Sequence, residues 1–169
     1  MTVYFYGCVS MDGYLADKDH GLSWLHESGT LEETDYEDFY RQMDVTIMGR
    51  RTFDEVAKLG NPAAFYPTTQ NLVFTHDRDF QEEGFEAKQG SIVDVIAEFS
   101  KDTNIWLIGG NGLMAELLEH DMVDELIIQV APVLLGAGIP LFSQKEKVQC
   151  FTLVDVKKYG AFAQMTYRK

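Results

Sequence analysis

Ile105-Trp-Leu-Ile-Gly-Gly-Asn-Gly-Leu-Met-Ala-Glu-Leu-Leu118 runs from an unbroken apolar stretch through a glycine turn straight into a helical pattern. The apolar run suits a buried strand, and the helix begins at Leu113 and Met114. Between them, Gly109, Gly110, Asn111 and Gly112 set a helix N-terminus directly at a strand end. Unpaired backbone N–H groups there align with the positive end of the helix dipole, and the missing Cβ atoms admit a pyrophosphate to close range. The same turn also serves as a tight strand-to-helix corner, so neighbouring segments decide between the two readings.

Outward from this stretch, strands alternate with helices. Val3 to Val9 is apolar on both faces, as a central strand covered on each side requires, and Ser10-Met-Asp-Gly13 then turns the chain. Thr34-Asp-Tyr-Glu37 has capping-box form, with Tyr36, Phe39, Tyr40 and Met43 as one apolar helical stripe; Thr30-Leu-Glu-Glu33 is a rival cap one turn earlier. Val45 to Met48 is a short strand closed by Gly49, after which Arg50-Arg-Thr-Phe53 opens a helix with Phe53, Val56 and Ala57 inward. This is a second strand–glycine–helix unit. Asn71 to Thr75 reads as another strand, and Ser91-Ile-Val-Asp94 caps a helix with Ile92, Val95, Ile96 and Phe99 on one face.

Beyond Leu118, Val123 to Ala131 is a long strand candidate, followed by a loop from Pro132 to Pro140 punctuated by glycine and proline. Two further strands, near Val148 to Lys157 and Phe162 to Tyr167, meet at Tyr159-Gly160 as an antiparallel hairpin. The pattern predicts one α/β domain over residues 1–169, with a mostly parallel sheet, an antiparallel C-terminal hairpin and helices on both faces.

The 169 residues are 46% hydrophobic and 24% charged, enough apolar material for a sizeable core in one domain. With 27 acidic against 14 basic residues the net charge is −13, which repels nucleic acid and anionic membrane surfaces. Cys8 and Cys150 form no secreted disulfide framework, and neither a signal pattern nor a long apolar span is evident, so a soluble cytoplasmic protein is expected. His20, His26, His76 and His120 lack any paired metal-ligand spacing, and no metal site is expected.

An N-terminal strand ending in Ser10-Met-Asp-Gly-Tyr-Leu-Ala16, the Met48-Gly-Arg-Arg-Thr-Phe53 turn, and Ile108-Gly-Gly-Asn-Gly112 with Val123-Asp-Glu-Leu126 and Ala131-Pro-Val-Leu-Leu-Gly-Ala-Gly138 behind it resemble the dihydrofolate reductase superfamily. Order and spacing match across nearly the whole chain. Within it, Val123 to Phe142 looks most like the reductase domain of the bacterial riboflavin-biosynthesis deaminase/reductase and its small stand-alone relatives.

The resemblance implies that NADPH lies across the carboxyl ends of the parallel strands. Gly49, Arg50, Arg51 and Thr52 match the turn that holds the pyrophosphate and the adenosine 2′-phosphate, and planar guanidinium groups suit phosphate oxygens. Thr75, His76 and Arg78 match the position flanking the adenosine phosphate, although Asp77 and Asp79 could pair with Arg78 instead. Gly109, Gly110, Asn111, Gly112, Leu113 and Met114 take the pyrophosphate from the other side. Cys8, Leu15 and Ala16 correspond to positions whose backbone holds the nicotinamide carboxamide; Trp24 falls where a mobile loop carries a tryptophan over the substrate, with Asp12 in the same region.

In such reductases an acidic residue on the helix after the mobile loop handles the proton, and Asp35 is the best match here, with Glu33 and Thr34 beside it. Its other reading is a charge complementing the helix dipole. The departures argue against folate itself. Pro67-Thr-Thr-Gln-Asn71 lacks the arginine that clamps the folate glutamate, and the folate-type Leu-Pro-acid after Trp24 is missing. Dihydrofolate and diaminopyrimidine antifolates are therefore expected to bind poorly. No basic cluster marks a phosphorylated substrate, so a neutral or cationic one is favoured. The expected activity is NADPH-dependent reduction of a small heterocyclic, carbonyl or imine compound, similar to that of 5-amino-6-(5-phosphoribosylamino)uracil reductase. The alternative is a dinucleotide-binding module without turnover, in regulation or assembly. A homodimer is expected by the same resemblance, with Phe151, Leu153, Phe162 and Met165 as contact candidates.

Overall fold

The computed structural model describes residues 1–30, 33–143 and 147–169. In chain order its elements are β1 (Thr2–Ser10), β2 (Tyr14–Asp17), α1 (Ser23–His26), α2 (Tyr36–Tyr40), β3 (Val45–Gly49), α3 (Arg50–Leu59), α4 (Pro62–Phe65), β4 (Gln70–Phe74), β5 (Phe85–Lys88), α5 (Ile92–Ile96), β6 (Asn104–Gly109), α6 (Asn111–Glu119), β7 (Glu125–Ala131), β8 (Gly138–Pro140), β9 (Thr152–Tyr159) and β10 (Phe162–Arg168).

Strands with apolar side chains on both faces must be covered on both, and the sheet obeys this. Its order is β5-β4-β3-β6-β1-β7-β10-β9. The first six neighbours run parallel, and β10 then pairs antiparallel with both β7 and β9. On one face, α5 and α6 pack Ile92, Ile96, Met114, Leu117 and Leu118 against Val3, Phe5, Ile47, Leu72 and Leu107. On the other, Phe39 and Met43 with Phe53 of α3 cover Tyr6, Met48, Val73 and Trp106. The aromatic side mixes stacked and edge-to-face pairs: Phe39 stacks on Tyr6 at 4.6 Å and meets Trp106 edge-on at 5.4 Å, 89° between planes.

Local signals hold where their chemistry is complete. Ser91 caps α5, its hydroxyl accepting from the Val93 N–H at 3.2 Å. The hairpin turns at Gly160, whose φ of 54° a side chain rarely adopts. Asp35, not Thr34, is the N-cap of α2. Leu31 and Glu32, inside the rival Thr30–Glu33 cap, lie outside the described residues, but the Thr30 N–H does donate to Glu33 Oε2 at 3.2 Å.

Several expectations need correction. Ala57 is exposed rather than inward, because α3 turns only Phe53 fully to the core. The penultimate strand starts at Thr152, not Val148, since the preceding segment follows the sheet without pairing to it. Phe162 is buried against Trp24 and Ala131, so it is core and unavailable as a subunit contact. β5 and the short β2–β8 pair were not foreseen.

Candidate functional site

The two strand–glycine–helix units lie side by side. β3 and β6 are parallel neighbours, with Met48 opposite Gly109 after a register shift, so α3 and α6 start next to each other at the carboxyl ends of these two interior strands. Both helices have glycine N-caps, Gly49 and Gly110, which offer no side-chain acceptor to the first amides. Gly110 has φ of 106°. A Cβ there would stand 3.6 Å from the Gly49 nitrogen, and one on Gly109 would come within 3.2 Å of Thr52 Oγ1. Around Gly112 nothing lies within 4 Å of a would-be Cβ. Two dipole ends and bare backbone therefore face one open corner, a geometry fitted to a pyrophosphate.

The side chains around this corner are partly committed. Arg50 pairs with Asp77 at 2.8 Å and Asp54 at 2.9 Å, and lies over the Phe80 ring at 5.1 Å. The hydrogen bond with Asp77 raises the Arg50 pKa and lowers that of Asp77. Arg51 is exposed and in no ion pair among the described residues; its Nη1 lies 3.2 Å from His20 Nε2. Arg78 and His76 are exposed, and the feared Asp77–Arg78 pairing gives way to Asp77–Arg50. Thr75 is buried; its hydroxyl accepts the Asp77 N–H at 3.1 Å, and it shapes the turn. Asn111 and Leu113 are half-buried in the first turn of α6. Met114 is a correction: its side chain is 1% exposed in the core and its N–H is spent on Gly110 O at 3.0 Å, leaving nothing for a ligand.

At the end of β1, Cys8 is half-buried beside the Trp24, Ala131 and Phe162 cluster, and burial pushes its thiol up to about 12, so it stays protonated. Leu15 packs on the core, and Ala16 pairs with Ile139 of β8. Trp24 is 7% exposed, and its Nε1–H has no hydrogen-bond partner among the described residues. Asp12 is committed elsewhere. Ser10 Oγ donates to it at 2.6 Å, the main cause of its lowered pKa, while the Leu135 and Gly136 amides donate at 3.1 and 2.7 Å. These bonds tie the turn after β1 to the loop before β8.

Asp35 sits in a network that its sequence neighbours do not hint at. Tyr6 Oη donates to Oδ1 at 3.1 Å, while Tyr159 Oη and Gln164 Nε2 both donate to Oδ2, at 3.0 and 2.9 Å. Gln129 Nε2 closes the ring, donating to Tyr6 Oη at 2.7 Å and to Gln164 Oε1 at 2.9 Å. Although Asp35 is the N-cap, its carboxylate makes no capping bond, and its side-chain partners are these three donors. The hairpin presses on the same segment, with Phe162 against Gly29 and Gly160 against the Glu33 carboxylate. Gln129 and Gln164 were missed, yet both are buried amides directly opposite each other, Gln129 set between Ile128 and Val130 and Gln164 between Ala163 and Met165, which was the available signal.

Asp35 also lines a cavity of about 510 Å³ between α2 and the β7, β10 and β9 strands, with Tyr4, Phe39, Gln164 and Thr166. None of the glycine-turn residues lines it, so cavity and phosphate corner are separate features. Within the Pro67–Asn71 stretch, Asn71 is buried, accepting from Thr46 Oγ1 at 2.7 Å and donating to Tyr66 O and Gly84 O at 3.0 Å. Among the described residues no His, Cys, Asp and Glu group could hold a metal ion.

Known proteins share this architecture. The YwjB protein of Bacillus subtilis is 34% identical over 165 residues, 96% of this chain and 94% of its own length. A putative riboflavin biosynthesis protein from Shewanella sp. PV-4 superposes with a TM-score of 0.85 at 28% identity, covering 99% of this chain and 98% of that one. Dihydrofolate reductase from Enterococcus faecalis, complexed with NADP(H), shares the fold at a TM-score of 0.67 and 18% identity, covering 99% of this chain and 95% of its own. Residues 2–165 match the family described as the RibD C-terminal domain, and the chain belongs to that family.

Proposed function

We infer that the protein is an NADPH-dependent reductase of a small heterocyclic, carbonyl or imine compound, working in the cytoplasm. The observation that carries this reading is the pair of glycine-capped helix starts meeting at Gly49 and Gly110. The dinucleotide, bound there, supplies the hydride. The α3 and α6 amides would hold its pyrophosphate, Arg51 its 2′-phosphate, and the backbone of Cys8, Leu15 and Ala16 the carboxamide. Asp35 would accept or pass the proton at Oδ1. Among the described residues no helix is long and apolar enough to cross a membrane.

Titration should show NADPH binding more tightly than NADH. Arg50 is already paired to two carboxylates, so the preference should rest on Arg51. Arg51→Ala is expected to cost about 1 to 3 kcal/mol of NADPH affinity and to leave NADH affinity unchanged. Equal affinities for the two cofactors in the unmodified protein would remove the phosphate role. NADPH binding without oxidation across a screen of ribosyl pyrimidines, pterins, quinones and aldehydes would favour the non-catalytic module.

The homodimer remains part of this reading, on revised contacts. Leu126, Ile128, Met165 and Tyr167 floor an apolar groove of about 360 Å³ that Phe142 and Phe151 flank. Next to it on β9, Leu153 and Val156 are 52% and 61% exposed. Light scattering should give twice 19.2 kDa, and Val156→Lys should yield the monomer. A monomer in the unmodified protein at micromolar concentration would refute the dimer.

A further inference from the structure

A carboxylate has two oxygens with about two acceptor directions each. In Asp35 these are unequally used. Oδ2 already holds two donors, the Tyr159 hydroxyl and the Gln164 amide, and so is full. Oδ1 holds only the Tyr6 hydroxyl among the described residues and keeps one direction free. The ring through Gln129 fixes which way both glutamine amides point, because Gln164 must present oxygen to Gln129 and therefore nitrogen to Asp35. Oδ2 cannot be vacated by an amide flip without leaving two buried donors facing each other.

The charges around the cavity add a second constraint. Lys157 is paired with Asp155 at 3.1 Å and Arg168 with Glu125 at 2.7 Å, whereas Asp35 has no ion-pair partner among the described residues. Asp38, also on the lining, is paired with Arg41 at 3.1 Å, so among the described residues the cavity offers in Asp35 an acid without an ion-pair partner and no uncommitted cation.

From this geometry we propose that Tyr159 and Gln164 are specificity-determining positioning residues, which restrict Asp35 to a ligand presenting a single N–H donor, preferably cationic. A protonated imine or a pyridinium-type ring nitrogen fits. A heterocycle edge with two adjacent N–H donors does not, since its second donor would meet an oxygen already saturated. The proposal rests on the reading that Asp35 faces the substrate.

Two isomeric probes separate the cases. In mildly acidic buffer 4-aminopyridinium presents its ring N–H alone, while 2-aminopyridinium presents ring N–H and amino group side by side. NMR titration of the full chain should show the 4-isomer binding at least as tightly as the 2-isomer. Tyr159→Phe removes one donor from Oδ2 while keeping the glutamine ring, and Gln164→Ala removes the other from the cavity wall. Each should move the affinity ratio toward the 2-isomer by about tenfold, the scale of one charge-assisted hydrogen bond. A tenfold preference of the unmodified protein for the 2-isomer would overturn the proposal, as would an unchanged ratio in folded Tyr159→Phe. Asp35→Asn should weaken both probes. If it weakens the 4-isomer while the ratio stays fixed in the Tyr159 and Gln164 variants, the single-donor restriction fails and Asp35 remains in the substrate site. If it leaves 4-isomer binding unchanged, Asp35 is not in that site and both readings fall.

Discussion

Asp35→Asn is expected to leave NADPH affinity unchanged and to lower turnover by about 10²-fold or more, with whichever substrate a screen identifies. The hydrogen-bond ring explains why the variant should still fold. Its amide oxygen can take the Oδ2 place and keep the Tyr159 and Gln164 donors, which puts the NH₂ where Oδ1 stood. The Tyr6 hydroxyl, already accepting from Gln129, can then no longer donate at this position, at a cost of about 1–3 kcal/mol of stability. What changes is the group offered to a ligand, from acceptor to donor. Steady-state kinetics and cofactor titration on the same preparation check both halves. Full turnover in Asp35→Asn would take the proton-handling role away from this carboxylate and leave water or Glu33 to supply it.

The second large effect concerns the phosphate corner. Gly110→Ala is expected to destabilise the fold by about 1–3 kcal/mol, because a side chain must occupy a φ of 106°. It should also weaken NADPH binding by at least tenfold, since the new methyl would stand 3.6 Å from the Gly49 nitrogen, in the gap between the two helix starts. Gly112→Ala is the control. It has open space around its Cβ position and no left-handed backbone, and should cost little stability. Thermal melts and cofactor titration together distinguish strain from loss of the cradle. Unaltered NADPH affinity in folded Gly110→Ala would mean that the paired glycine turns are a packing solution only.

Why these features differ in legibility comes down to range. The parallel strands could be read because Val3 to Val9, Val45 to Met48, Asn71 to Thr75 and Ile105 to Ile108 are largely buried and so predominantly apolar, with Thr46, Asn71 and Thr75 as buried polar exceptions. The two glycine turns were likewise local, each contained within a few residues. β5 was invisible because Phe85-Glu-Ala-Lys88 is a four-residue edge strand whose middle residues, Glu86 and Ala87, are exposed. The β2–β8 pair was hidden because β8 is three residues long and bounded by glycine and proline. Met114 looked like part of the phosphate turn by position, but one helical step turns a side chain from the mouth to the core. The ring around Asp35 was beyond reach for a different reason: its members are brought together by strand register, Gln129 opposite Gln164, and nothing near Asp35 encodes that pairing.

That ring also sets a clock on biosynthesis. Gln164 follows Asp35 by 129 positions, and at ribosomal speeds of about 5–20 residues per second the carboxylate is made roughly 6–26 s before its last donor. Through that interval the nascent chain carries the Asp35 segment with neither Tyr159 nor Gln164 to hold it. The ring is complete only when the final hairpin closes, so an incomplete chain would be translated through both glycine turns and still have no assembled hydrogen-bond ring around Asp35.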